Sequence, residues 1–223
     1  SAHLSRDVLF CTGTPVRKEI REVAGSSYQA SYGSSSIHLF VVGGSQGSKA
    51  MAQIVPDAVA KLGQDLRERL IVTQQVRSED KSRVELAYHS AGVSAGVHVF
   101  IENMREIVEK SHLVVARAGG STIAELSVSG RPSILIPLPN SVDDHQTHNA
   151  RRVTDAGAGW LLEEEELKAD CLSKLLTELL ANPARLSAAS DKARSLGRPH
   201  AAECLAGLLI KLASVSSQDC PVP

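Results

Sequence analysis

From residue 37 onward the chain alternates between two textures. Runs that are apolar almost throughout occur at Ile37 to Val42, Leu70 to Thr73, Val97 to Ile101, Leu113 to Ala116, Ser133 to Pro137 and Trp160 to Leu162. Between and after them lie stretches of helical pattern: to about Leu62, then Ser78 to Ser90, Met104 to Lys110, Ser121 to Val128 and Asp144 to Ala156. A strand that is apolar at every position has both faces buried, and the intervening helices are what bury them. The pattern therefore predicts an α/β fold, a Rossmann-like parallel sheet with helices on both faces. Three helices close the chain, at Leu167 to Leu180, Pro183 to Ser195 and Ala201 to Ala213; the first carries leucines at 167, 172, 175, 176, 179 and 180.

Ahead of this alternation, Asp7 to Thr12 reads as a short strand ending in the turn Gly13-Thr14-Pro15. Residues 24–36 are rich in Ser, Gly and Ala and read as a linker or exposed loop. The expected division is a leading segment and linker over 1–36, a ligand-binding domain over 37–198, a terminal helix over 199–213 and a disordered tail over 214–223.

Composition narrows the function. Aromatics make up 3% of the chain against 43% apolar residues, so the core is aliphatic. With 24 basic and 25 acidic residues there is no basic excess of the kind that binds nucleic acid. Cys11, Cys171, Cys204 and Cys220 are scattered without a Cys-x-x-Cys pair, which points to a reduced, cytoplasmic setting. The first residues lack a signal-peptide pattern, and no apolar run reaches the about 20 residues that span a bilayer.

In parallel sheets of this kind ligands bind beyond the carboxyl ends of the strands, so the loops there carry the chemistry. The first is Gly43-Gly44-Ser45-Gln46-Gly47-Ser48. Its glycines allow close backbone approach, and the helix behind it offers unpaired N–H groups to a phosphate. Neither the dinucleotide fingerprint nor the Walker A spacing is present. A plain turn with Ser45 as N-cap is equally open. The second is Arg117-Ala118-Gly119-Gly120-Ser121-Thr122-Ile123-Ala124-Glu125, which makes a pair of such turns, able to clamp a diphosphate. Thr122 and Glu125 fit a capping box, and on spacing alone that is the simpler reading. The other reading has Glu125 accepting hydrogen bonds from ribose hydroxyls. The third loop, Asp143-Asp144-His145-Gln146-Thr147-His148-Asn149, lacks the spacing of a metal site, and no metal is expected. Gln146 and Asn149 share a helix face and suit neighbouring sugar hydroxyls. Arg17 reads as a surface charge or as a phosphate ligand. The backbone at Ile101 could meet a base edge. Neither a catalytic nucleophile nor a catalytic base stands out.

Taken together, Thr12-Gly13-Thr14-Pro15-Val16-Arg17, the Gly43 to Gly47 loop, Arg117 to Glu125 and Asp144-His145-Gln146-Thr147-His148-Asn149-Ala150 resemble the MurG family of bacterial GlcNAc transferases, in order and in separation, from about residue 7 to 213. The resemblance implies the carboxyl-terminal half of a GT-B glycosyltransferase, with UDP-GlcNAc as donor substrate and a lipid-linked muramyl-peptide acceptor in peptidoglycan synthesis. It implies Arg17 and the Gly44-Ser45-Gln46 loop on the diphosphate, and the Ile101 backbone on uracil. Gly120 to Glu125 would line phosphate and ribose, with Glu125 on the ribose hydroxyls and Gln146 with Asn149 near the GlcNAc. It further implies a metal-free donor site and action at the inner face of the cell membrane. The acceptor site and catalytic residues of that family lie in a first domain that precedes the Thr12 to Arg17 motif, so they are expected outside this chain. A subunit or module that binds nucleotide sugar without turnover, and a UDP-sugar epimerase-like domain, are the alternatives. Release of UDP in the presence of acceptor separates the three.

Overall fold

The computed structural model describes residues 10–44, 47–139 and 141–216. Six strands form one all-parallel sheet in the order β3-β2-β1-β4-β5-β6. They are β1 Ile37–Val42, β2 Leu70–Gln75, β3 Ser94–His98, β4 Leu113–Arg117, β5 Ser133–Ile136 and β6 Gly159–Leu161. The helices are α1 Lys18–Val23, α2 Lys49–Ala60, α3 Gln64–Arg69, α4 Lys81–Ser90, α5 Met104–Lys110, α6 Gly120–Ser129, α7 His145–Asp155, α8 Ala169–Leu180, α9 Pro183–Leu196 and α10 Ala201–Ser216.

Alternate residues of the same apolar strand feed two separate cores. Leu39, Val41, Val115 and Ile136 face the side covered by α2, α4 and α8, where Val55, Val84, Leu172, Leu176 and Leu179 are fully buried. Phe40, Val114, Ala116 and Leu135 face the other side, against Ile20, Val108, Leu126, Ala150 and Ala193 from α1, α5, α6, α7 and α9. Each fully buried aliphatic side chain contributes about 1.5–3 kcal/mol relative to exposure, which explains why the central strands β1, β4 and β5 admit so few polar residues. The strand order reverses between β1 and β4, and the crevice at such a reversal is where ligands sit in open α/β sheets.

Four expectations are corrected. Residues 10–12 are not a strand; the rest of that expected strand, 7–9, lies outside the described residues. The third strand spans Ser94–His98 instead of Val97 to Ile101, because its pairing with β2 ends at Gln75 opposite His98. Val99 and Phe100 leave the sheet, 46% and 74% exposed. An edge strand has less to bury, so its own residues carry a weak apolar signal and the loop beyond it a stronger one. Residues 24–36 are irregular, yet they are pinned to the domain: Ser31 is buried, and Arg194 of α9 donates to the carbonyls of Ala24 and Ser26. The helices α1 and α3, six residues each, lie in stretches to which no element was assigned from the sequence. Of the expected tail, Ser214 to Ser216 extend α10 and the remainder lies outside the described residues.

Candidate functional site

Two glycine-rich turns open the site. At Gly43 a Cβ would stand 2.5 Å from the Ser48 nitrogen, closer than any side chain tolerates, so only glycine lets the chain fold back here. Gly47, at φ +69°, packs against the backbone of Arg77. The N-cap of α2 is Ser48, whose Oγ accepts from the Met51 N–H at 3.3 Å. The expected cap and ligand Ser45, with Gln46, lies outside the described residues.

Arg117, only 7% exposed, ties the loops together. Its guanidinium donates to Ser48 Oγ at 3.0 Å and to the carbonyls of Pro137 at 2.9 Å and Ile136 at 3.3 Å. It also pairs with Glu164. One side chain thereby fixes the ends of β4 and β5, the start of α2 and the turn before α8. The sequence carried a signal for this, since a charge that closes a buried strand must find partners; its partners, from three distant segments, were not readable.

The capping-box reading of Thr122 and Glu125 is overturned. Helix α6 starts at Gly120 with Gly119 as N-cap, so Thr122 and Glu125 already lie within its first two turns. Gly119 makes no side-chain cap bond, which leaves the first-turn N–H groups of α6 without a side-chain acceptor at the N-cap. Glu125 instead accepts a bidentate pair from Arg17, Nε to Oε1 at 2.7 Å and Nη2 to Oε2 at 2.8 Å. This bond holds the Arg17 guanidinium pKa above its ordinary value. The two residues stand 108 positions apart in sequence.

Arg17 and Glu125 line a cleft of about 510 Å³ at the carboxyl ends of the strands, with Gly44, Ile101, Ser121 and Thr122. Phe40, Gln75 and the exposed Phe100 also line it, and these three were not singled out in the sequence. Other expected residues fall elsewhere. Gly120, Ile123, Ala124 and Asn149 line a smaller neighbouring cavity of about 170 Å³, beside Gly13 and Thr14. The Asn149 amide donates to the Ala118 carbonyl at 3.2 Å, and Gln146 Oε1 accepts from the Leu138 N–H at 3.0 Å. Both amides thus brace the loop ends, and Gln146 is not part of the cleft wall. Asp143 and Asp144 take left-handed backbone, φ 51° and 50°, and Asp144 accepts from the Thr147 hydroxyl at 2.6 Å. Among the described residues no three His, Cys, Asp or Glu side chains converge as metal ligands would. The arrangement suits a ligand with paired hydroxyls for Glu125 and negative charge for the α2 and α6 N-termini.

A transferase from Paramagnetospirillum magneticum, UDP-N-acetylglucosamine–N-acetylmuramyl-(pentapeptide) pyrophosphoryl-undecaprenol N-acetylglucosamine transferase, is 42% identical over 204 residues, covering 92% of this chain and 55% of the relative. The protein of the same name from Granulibacter bethesdensis is 43% identical over 195 residues, 87% of this chain and 51% of the relative. The chain therefore spans about half the length of these curated relatives. The crystal structure of Acinetobacter baumannii MurG superposes with a TM-score of 0.74 at 28% identity, covering 82% of this chain and 54% of that one. The family model for the glycosyltransferase family 28 C-terminal domain matches residues 38–205, and the chain belongs to that family.

Proposed function

We propose that this chain is the donor-binding half of a GlcNAc transferase that takes UDP-GlcNAc and glycosylates a lipid-linked muramyl-peptide in peptidoglycan synthesis. The observation that carries it is the cleft at the β1–β4 reversal, where the Glu125 carboxylate, the Gly44 turn and the first turn of α6 at Ser121 and Thr122 line one space. The names of the relatives supply the substrate class. In this reading Glu125 takes the ribose hydroxyls, the backbone at Ile101 reads uracil, and Gly44, Ser45, Gln46, Ser121 and Thr122 receive the diphosphate with Arg17. Gly120, Ile123 and Ala124 shape the turn behind the phosphates. Gln146 and Asn149, braced against the Leu138 and Ala118 backbone, present their remaining amide atoms to the sugar.

The acceptor and the catalytic residues belong, in this reading, to the half of the relatives that this chain does not span. The full enzyme works at the inner face of the cell membrane; no described helix is long and apolar enough to cross one. The epimerase-like alternative is not favoured, because the relatives at about 42% identity bear the name of a transferase. Calorimetric titration with UDP-GlcNAc, UDP and CDP tests the reading. Binding of the uridine ligands, without transfer by this chain alone, is expected, since transfer needs both reactants held in attack geometry. Absence of any uridine-nucleotide binding by a folded sample would overturn it.

A further inference from the structure

Among the described residues, Arg17 and Glu125 are the two charged side chains in the wall of the cleft, and each is taken up by the other. The fork is bidentate, one N–H on each carboxylate oxygen. A vicinal diol would want the same geometry, one hydroxyl on each oxygen. A carboxylate has lone pairs to spare, but the pair facing inward on its two oxygens is used by the fork, and the remaining two point apart. One diol cannot reach both of those. A ligand that engages Glu125 with two hydroxyls must therefore dislodge Arg17. Nothing about the position prevents this: the Arg17 side chain is 51% exposed and that of Glu125 20%, so the pair is solvated and weakly held. Arg17 also stands at the N-cap of α1, anchored to the rest of the molecule through the buried Ile20, so a dislodged guanidinium stays at the mouth of the cleft.

We propose that Arg17 is a gate on Glu125: it occupies the carboxylate until paired ligand hydroxyls displace it, and the ligand's phosphates then hold the freed guanidinium. This rests on the reading of the cleft as a ribose and diphosphate site, and it adds to that reading a rule of selection. A nucleoside without phosphates breaks the Arg17–Glu125 pair and gives nothing back. A nucleoside diphosphate breaks the same pair and replaces it. The gate thus widens the gap between diphosphate and bare nucleoside beyond what phosphate contacts to the backbone supply.

The test is binding of uridine and of UDP to the wild type, Arg17→Ala and Glu125→Gln, by calorimetry at low and high salt. Exposed pairs of this kind are worth up to about 1 kcal/mol, so Arg17→Ala should bind uridine more tightly than wild type, by up to about fivefold. The same variant should bind UDP about tenfold more weakly, since a charge-assisted contact is lost. Salt gives an independent readout. Screening loosens the Arg17–Glu125 pair, so wild-type affinity for the uncharged uridine should rise with ionic strength, and that rise should vanish in Arg17→Ala. Unchanged or weaker uridine binding by Arg17→Ala, with flat salt dependence in the wild type, overturns the gate. If UDP still binds the wild type and is lost in Glu125→Gln, the donor-site reading stands without it. If the wild type binds no UDP, both fall. Arg17→Lys, which keeps charge but not the fork, guards against a folding artefact and should lie between wild type and Arg17→Ala for both ligands.

Discussion

The two ends of the sheet hold polar clusters of similar size and opposite character. At the carboxyl end the Arg17–Glu125 fork is exposed, and each partner's bonds go to a side chain that can be replaced. At the amino end Tyr28, His38, His112 and Arg131 are bonded mainly to fixed backbone. His112 Nδ1 accepts from the His38 N–H at 2.9 Å, the His112 N–H donates to the His38 carbonyl at 2.9 Å, and the Tyr28 hydroxyl donates to the His112 carbonyl at 2.9 Å. The two imidazoles stack with centroids 5.7 Å apart, and Arg131 lies over the Tyr28 ring at 5.6 Å. Burial pulls the Arg131 guanidinium down to about 10 and His112 down to about 4. Both ends carry histidine, arginine or carboxylate; what separates a site from a scaffold here is whether the partners are themselves free to leave.

Arg117 is the sharpest test of that distinction, because it sits at the carboxyl end and is built like the amino end. Replacing it with Met removes bonds to Ser48, Ile136 and Pro137 and leaves Glu164 without its cation. Breaking a buried pair from one side costs about 3–5 kcal/mol; Glu164 is partly exposed, so about 2–4 kcal/mol is expected. In a chain of this size that lowers the melting temperature by about 5–15 °C, read by circular dichroism. A loss of less than about 2 °C would show that the loops do not depend on it.

Glu125→Gln should behave in the opposite way. Its melting temperature should stay within a degree or two of wild type, while UDP affinity falls about tenfold to a hundredfold, the worth of hydrogen bonds to a charged group. Against 2′,3′-dideoxy-UDP the variant and wild type should bind alike, because the hydroxyl partners are gone. Equal UDP affinity in variant and wild type would remove Glu125 from the site.

These contrasts mark how far the sequence could be read. The sheet was legible because β1, β4 and β5 are apolar at nearly every position, and only burial on both faces allows that. The glycine turns were legible because Gly43 and Gly47 answer a local need for backbone room. What stayed hidden is long-range. Thr122 and Glu125 have the spacing of a capping box, yet the helix starts at Gly120 and the carboxylate turns to an arginine 108 residues away. Ser45 and Ser48 are equal as N-cap candidates by residue type, and the bond that the Ser48 Oγ accepts from the Arg117 guanidinium is part of what distinguishes Ser48. At the amino end, Tyr28 and His112 carried no motif, because their partners are backbone atoms that any sequence supplies.

The amino-end cluster makes its own prediction, with pH as the probe. His112 is neutral in the fold because burial disfavours its charged form, with His38 and Arg131 adding to the effect. A base whose folded pKa is depressed stabilises the fold fully above its unfolded value near 6.5, and that contribution is lost as pH falls toward about 4. His112 is only half-buried, so the loss is on the order of 1 kcal/mol. His112→Asn keeps an acceptor for the His38 N–H and does not titrate. Its stability should therefore fall less than wild type between pH 6.5 and 4.5 in urea titrations. Parallel curves would place the acid sensitivity in other groups.

The smallest expected effect is at the carboxyl end: chelation should leave UDP affinity unchanged within about twofold. A diphosphate needs its charge met by something. Each helix N-terminus presents about half an elementary charge together with unpaired N–H donors. Here α2 and α6 both begin at the cleft end of the sheet, and α6 has no side-chain cap competing for its donors. Arg17 brings a full positive charge to the same wall. The acidic groups that could instead hold a cation are otherwise engaged: Glu125 by Arg17 in the free protein and by the ribose hydroxyls in the proposed complex, and Asp144 by the Thr147 hydroxyl. The strained turn at Asp143 and Asp144 starts α7, which lies outside the cleft wall. Titrations of UDP with EDTA and with added magnesium decide the point. A more than tenfold loss on chelation, restored by magnesium, would mean that the helix ends do not suffice and that the Asp143 to His148 segment reorganises around an ion when the nucleotide binds.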